Sequence, residues 1–117
     1  MKKNSSRFDD AIGRGVVEYG VVKHKGKGAW GVQAFTDDYY EIPYRCLIPR
    51  RIEGLIMGAG RSVSAEDPYL LRVMVTTMVI GQGAGVAAAV SAKDNVIPRN
   101  VDVKKVQNEL RRQGVEI

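Results

Sequence analysis

Apolar and polar positions along this chain change their period several times, and each change marks a different element. Residues 16–22 and 29–35 are rich in Val, Tyr, Trp and Phe and flank the polar run Lys23-His-Lys-Gly-Lys-Gly. That pattern predicts two strands around a glycine-containing loop. Residues 39–48 form a third extended stretch. Pro43 within it has no N–H to give to a ladder, which suits an edge, a bend or a crossing between domains. Arg50-Arg-Ile-Glu-Gly reads as a turn, after which Leu55-Ile-Met runs into Gly58-Ala-Gly60. A short apolar run ended by glycines is the pattern of a buried parallel strand that must turn tightly at its C-terminal end. In open α/β sheets, ligands bind at that end.

Residues 73–92 carry no charge between Arg72 and Lys93. The stretch is long enough to span a bilayer, and Gly81 and Gly85 form a GxxxG pair. Thr76, Thr77, Gln82 and three glycines make its hydropathy borderline, however, and Arg72 and Lys93 give no orientation signal. A helix that is apolar all round is also what the centre of a large soluble protein requires, and we expect that rather than a membrane span. Asp102 then stands as an N-cap, Val103, Val106 and Leu110 share one helical face, and Gly114 follows as a stop, so a short amphipathic helix closes the chain. The polar residues 1–12 bury too little to offset the entropy of ordering. The expected organisation is α+β: a flexible segment at residues 1–12, then one domain at residues 13–117 with short strands, a long buried apolar helix and a C-terminal amphipathic helix.

Composition narrows the function classes. The chain has 117 residues, 44% hydrophobic and 26% charged, which fits one ordinary globular domain with a modest core. Lys2 and Lys3 give the start the charge of a signal n-region, but no apolar stretch follows before Asp9 and Asp10. We therefore expect a cytoplasmic protein. The formal net charge of +5 is spread over scattered pairs such as Arg50/Arg51 and Arg111/Arg112, without the basic stripe of a nucleic-acid surface. Cys46 is the single cysteine, so neither an internal disulfide nor a cysteine metal cluster can form; it reads as a small packed residue. His24 lies among Lys23, Lys25 and Lys27, which disfavour its charged form, and it reads as a solvated loop residue. Glu66 and Asp67, adjacent before Pro68, read as a turn. One histidine supports no Ser/His/Asp set, and no metal-ligand spacing exists. We assign no catalytic or metal residue.

A resemblance adds to this reading. Ile42-Pro-Tyr-Arg-Cys-Leu, Gly54-Leu-Ile-Met-Gly-Ala-Gly-Arg, Ser64-Ala, Arg72-Val and Gly81-Gln-Gly-Ala-Gly, in that order and spacing, closely resemble the C-terminal end of the FAD-dependent oxidoreductases related to fumarate reductase flavoproteins. Arg7-Phe-Asp-Asp-Ala-Ile-Gly-Arg-Gly and the last helix are similar to that family too. The resemblance implies a partial cap-domain hairpin, then the last strand of an FAD-domain sheet. It implies FAD as the cofactor of the complete enzyme, with Gly60 and Arg61 near the ribityl chain and the backbone of Arg72, Val73 and Met74 near the flavin ring. Unpaired N–H groups and the macrodipole at such a helix start favour the negative charge that reduced flavin carries near N1 and O2. It further implies that Gly81, Gly83 and Gly85 let the helix approach the sheet closely.

One departure from the family is large. No strand–G-x-G-x-x-G–helix start is present to hold the pyrophosphate: Gly58-Ala-Gly60 has Val63 where the third glycine belongs, and Gly81-x-Gly-x-Gly85 sits inside a helical pattern. We therefore expect part of an FAD-dependent oxidoreductase, inactive alone, partnered by a separate N-terminal flavoprotein half or by further copies of itself. The alternative is a small oligomeric structural or ligand-binding module without redox activity. Neither nucleic acid nor membrane is expected as a partner.

Overall fold

The computed structural model describes residues 7–18, 35–65, 71 and 73–117. The loop around His24, the Glu66/Asp67 pair and Arg72 lie outside the described residues. Strand β1 (Ala11–Glu18) pairs antiparallel with strand β2 (Phe35–Pro43) in a two-stranded sheet, with Ala11 opposite Pro43 and Gly15 opposite Tyr40. A two-stranded ribbon alone is marginal in water, and here helices cover it. Helix α1 (Met74–Asp94) and helix α2 (Val103–Arg112) follow, with short 3₁₀ turns at Tyr44–Leu47, Gly60–Ser62 and Pro98–Asn100. The class is α+β, as the pattern of the sequence predicts.

The core lies between the hairpin and the two helices. Ile12, Leu47, Ile80, Val106 and Leu110 are fully buried there, with Ile42, Tyr44, Ala84 and Ala87 around them. Gly83 is where β1 meets α1: a Cβ at that position would stand 2.5 Å from Ile12 Cδ1. Of the three glycines expected to serve packing, Gly83 alone is required for it. A Cβ at Gly81 would make only an ordinary contact with the Gly58 carbonyl, and one at Gly85 would meet no other element within 4 Å among the described residues.

Three expectations are corrected. Order begins before residue 13, because Ala11 and Ile12 are buried in β1. Long-range bonds hold this edge: Phe8 N–H donates to Glu41 Oε2 at 2.7 Å, and Gln107 Nε2 donates to the carbonyls of Asp9 and Ala11, both at 2.9 Å. Next, Leu55-Ile-Met is not a strand. Among the described residues no strand lies alongside to complete a ladder, and Met57 N–H instead donates to the Leu47 carbonyl at 2.8 Å. Finally, α1 is buried along one face only. Thr76, Ile80, Gly83, Ala84, Ala87 and Ser91 face inward, while Met74, Val75 and Met78 are exposed. By length and a mean hydropathy of 1.4 the helix would pass as a membrane span, yet it packs on β1 and α2.

The C-terminal helix follows its sequence signals closely. Asp102 Oδ1 accepts from Lys104 N–H at 3.0 Å, satisfying a first-turn donor. At the other end Gly114, with φ +84°, carries the left-handed residue of a Schellman stop: Val115 N–H returns to the Leu110 carbonyl and Gly114 N–H to the Arg111 carbonyl, each at 3.0 Å.

Candidate functional site

The Gly60–Ser62 turn and the start of α1 come together although about a dozen residues separate them. Ser62 closes the turn locally: its Oγ donates to the Ala59 carbonyl at 2.8 Å and accepts from Ala59 N–H at 3.3 Å. Gly60 is buried against the chain that enters the helix. A Cβ there would overlap the Leu71 carbonyl oxygen and stand 3.1 Å from Thr77 Oγ1, so the requirement is for space rather than for an unusual backbone angle. Thr77 Oγ1 donates to that same Leu71 carbonyl at 3.3 Å, which fixes the approach of the chain to α1.

Among the described residues α1 has no side-chain cap at its N-terminus: Val73 occupies the cap position, and no acidic residue stands in the first turn. Its first i→i−4 bond runs from Thr77 N–H to the Val73 carbonyl at 2.9 Å. The N–H groups of Met74, Val75 and Thr76 therefore precede the hydrogen-bonded ladder, and among the described residues no side chain neutralises the positive end of the macrodipole. Thr76 is fully buried and its Oγ1 accepts from Tyr40 Oη at 3.4 Å. Burial raises the Tyr40 pKa and the Thr76 bond opposes this in part, so the phenol stays protonated at neutral pH.

Of the sequence-predicted positions, Gly60 and Arg61 stand on the turn and Val73 and Met74 at the helix start, so these four belong to one corner of the fold. Gly60 is buried, whereas Arg61 and Met74 are exposed. Leu71, Thr76, Thr77 and Ser62 complete this corner and were not singled out by sequence. For the threonines the signal is polarity, a pair opening an otherwise apolar helix, whereas Leu71 takes part through its backbone carbonyl and has no signal. Cys46 is an exposed residue rather than a packed one. Partial burial of its thiol nevertheless pushes the pKa up, against the lowering effect of Arg45, the reverse of what an activated thiolate needs. Among the described residues no group of His, Cys, Asp and Glu could hold a metal ion. A cleft of about 540 Å³ at the far end of α1, bordered by Ile56, Ala88, Ser91 and Ile97, contains no titratable group and brings no chemistry.

Residues 3–110 match a family model described as FAD dependent oxidoreductase. No curated protein and no solved structure matches the chain.

Proposed function

Because the chain belongs to the FAD-dependent oxidoreductase family, we propose that it supplies the ribityl- and isoalloxazine-facing part of a flavin site. The family implies FAD as cofactor of the complete enzyme. The observation that carries the reading is the close packing of the Gly60 turn on the first turn of α1, beside helix N–H groups that no side chain caps among the described residues. These residues fit the group. Gly60 lets the turn close on the Leu71 carbonyl beside the helix start, Arg61 is exposed next to it, and a helix start with no described cap is suited to an electron-rich ring edge. In this reading the backbone of Arg72, Val73 and Met74 orients the ring, while Thr77 and Leu71 hold the turn at its distance from the helix. FAD, when bound, supplies hydride acceptance at its N5 position.

The sequence has no strand-linked G-x-G-x-x-G turn for the pyrophosphate. We infer that the chain is inactive alone and works with a second polypeptide carrying that turn, in the cytoplasm. The test is titration of the purified protein with FAD, followed by flavin fluorescence, with and without a flavoprotein half that contains such a turn. Quenching only in the presence of that half is expected. Absence of quenching in both arms would remove the flavin reading. A second reading, a small oligomeric module without redox activity, is favoured by the exposure of Met74 (79%) and Met78 (72%) on α1. Sedimentation of the isolated chain distinguishes it: a stable oligomer that never quenches FAD supports the module.

A further inference from the structure

Farther along α1, Gln82 forms one wall of a cleft of about 370 Å³ whose other walls include Arg14 on β1, Gln113 after α2, and Glu116 on the C-terminal tail. This cleft contains a guanidinium with unused donors. Arg14 lies over the Tyr39 ring, 4.4 Å from its centroid, and its side chain is 29% exposed. Its hydrogen bond among the described residues runs from Nη1 to Glu116 Oε2 at 3.0 Å. Its Nε is buried and has no partner among the described residues. A guanidinium carries five donors in a fixed fork and is best matched by two acceptor oxygens, yet here it meets a single oxygen.

The acceptor it does have is weakly held. Glu116 is 83% exposed and follows the left-handed turn at Gly114, so its carboxylate can exchange with solvent without disturbing a helix. Beside it Gln82 Nε2 donates to Gln113 Oε1 at 3.0 Å, and that amide has a second hydrogen to offer. The cleft thus presents a fixed cation, a neighbouring amide donor and a carboxylate already seated in the manner a ligand would adopt.

We propose that this cleft binds a small oxyanion, a carboxylate or a phosphate, on Arg14, with the chain's own Glu116 as a displaceable occupant. The site does not depend on the flavin reading, and the two stand or fall separately. Titrating the ¹⁵N-labelled full chain with acetate and with inorganic phosphate, against sodium chloride at matched ionic strength, tests it by NMR. Saturable shifts of the Arg14 Nε–H and the Gln82 side-chain amide are expected with one or both anions, and the anion that saturates identifies the ligand class. Glu116→Gln removes the internal competitor and tightens the apparent Kd about two- to fivefold, the range an exposed ion pair can impose. Arg14→Lys keeps the charge and the stem but loses the fork, and weakens binding roughly tenfold. Shifts that chloride reproduces, or that neither variant changes, would overturn the proposal.

Discussion

The two ends of α1 are built on opposite plans. At the C-terminal end the chain turns back onto the last carbonyls: Asn95 takes a left-handed conformation with φ 51°, Val96 N–H returns to the Ser91 carbonyl at 3.1 Å, and Asn95 N–H to the Ala92 carbonyl. Ser91 Oγ donates onward to the Val96 carbonyl. The chain then turns into α2, whose Val106 and Leu110 are fully buried. At the N-terminal end the cap position is a valine whose side chain can accept no donor, and two exposed methionines stand in the first turns. The closed end accounts for how the chain folds. The open end is where N–H groups uncapped among the described residues, and exposed apolar side chains, stand together.

Truncation at each end is the strongest way to break this contrast. Leu110→Ala should cost about 2–5 kcal/mol, since it opens a cavity in the core, whereas Met78→Ala should stay within about 0.5 kcal/mol; urea unfolding of both variants decides it. Equal losses would show that the open end is packed in solution against a partner. Gly60→Ala comes next, at about 1–3 kcal/mol, because its methyl meets a backbone carbonyl that cannot rotate away. The drop in Tm should be accompanied by loss of protection at Thr77 in hydrogen exchange.

Smaller effects sharpen the same contrast with opposite signs. Val73→Asp supplies the missing cap and should stabilise by about 1 kcal/mol, while under the flavin reading its carboxylate weakens FAD quenching in the reconstituted pair. Asn95→Ala should destabilise by about 1 kcal/mol, since alanine is strained in the left-handed region. The mildest test is pH. The Arg112 and Gln113 hydrogen bonds hold the Glu109 carboxyl at about 2, below its ordinary 4.5. A carboxyl depressed in the folded state contributes stability above its unfolded pKa and loses it as pH falls through the folded value. The urea midpoint should therefore decline between pH 5 and pH 2, less steeply in Glu109→Gln.

What could be read from sequence depended on how far apart the cooperating residues lie. The Asp102 cap, the Val106/Leu110 face and the Gly114 stop are each contained within a few positions, and the structure reproduces them. The sequence also marks Gly60 and the helix start, through the resemblance. What ties them to one another, the Leu71 carbonyl and the Thr77 hydroxyl, has no local pattern, because the contact arises only when the intervening chain closes on itself. Leu55-Ile-Met carries a strand's composition, but strand structure requires a neighbour to bond. Likewise, an uncharged run specifies a helix without saying which of its faces will be covered, and α1 covers only one.

The bond from Gln107 to the carbonyl of Asp9 spans 98 positions of sequence, and this has a consequence for the timing of folding. The first strand is made early yet cannot be fastened until the last helix exists. At ordinary synthesis rates that delay is roughly 5–20 s, during which β1 has only its hairpin partner. Contacts of such separation also carry a large loop-closure cost before they yield any stability. The N-terminal edge should accordingly be the slowest part of the molecule to become protected on refolding, and the first that a growing chain exposes to proteases or to premature pairing with another copy.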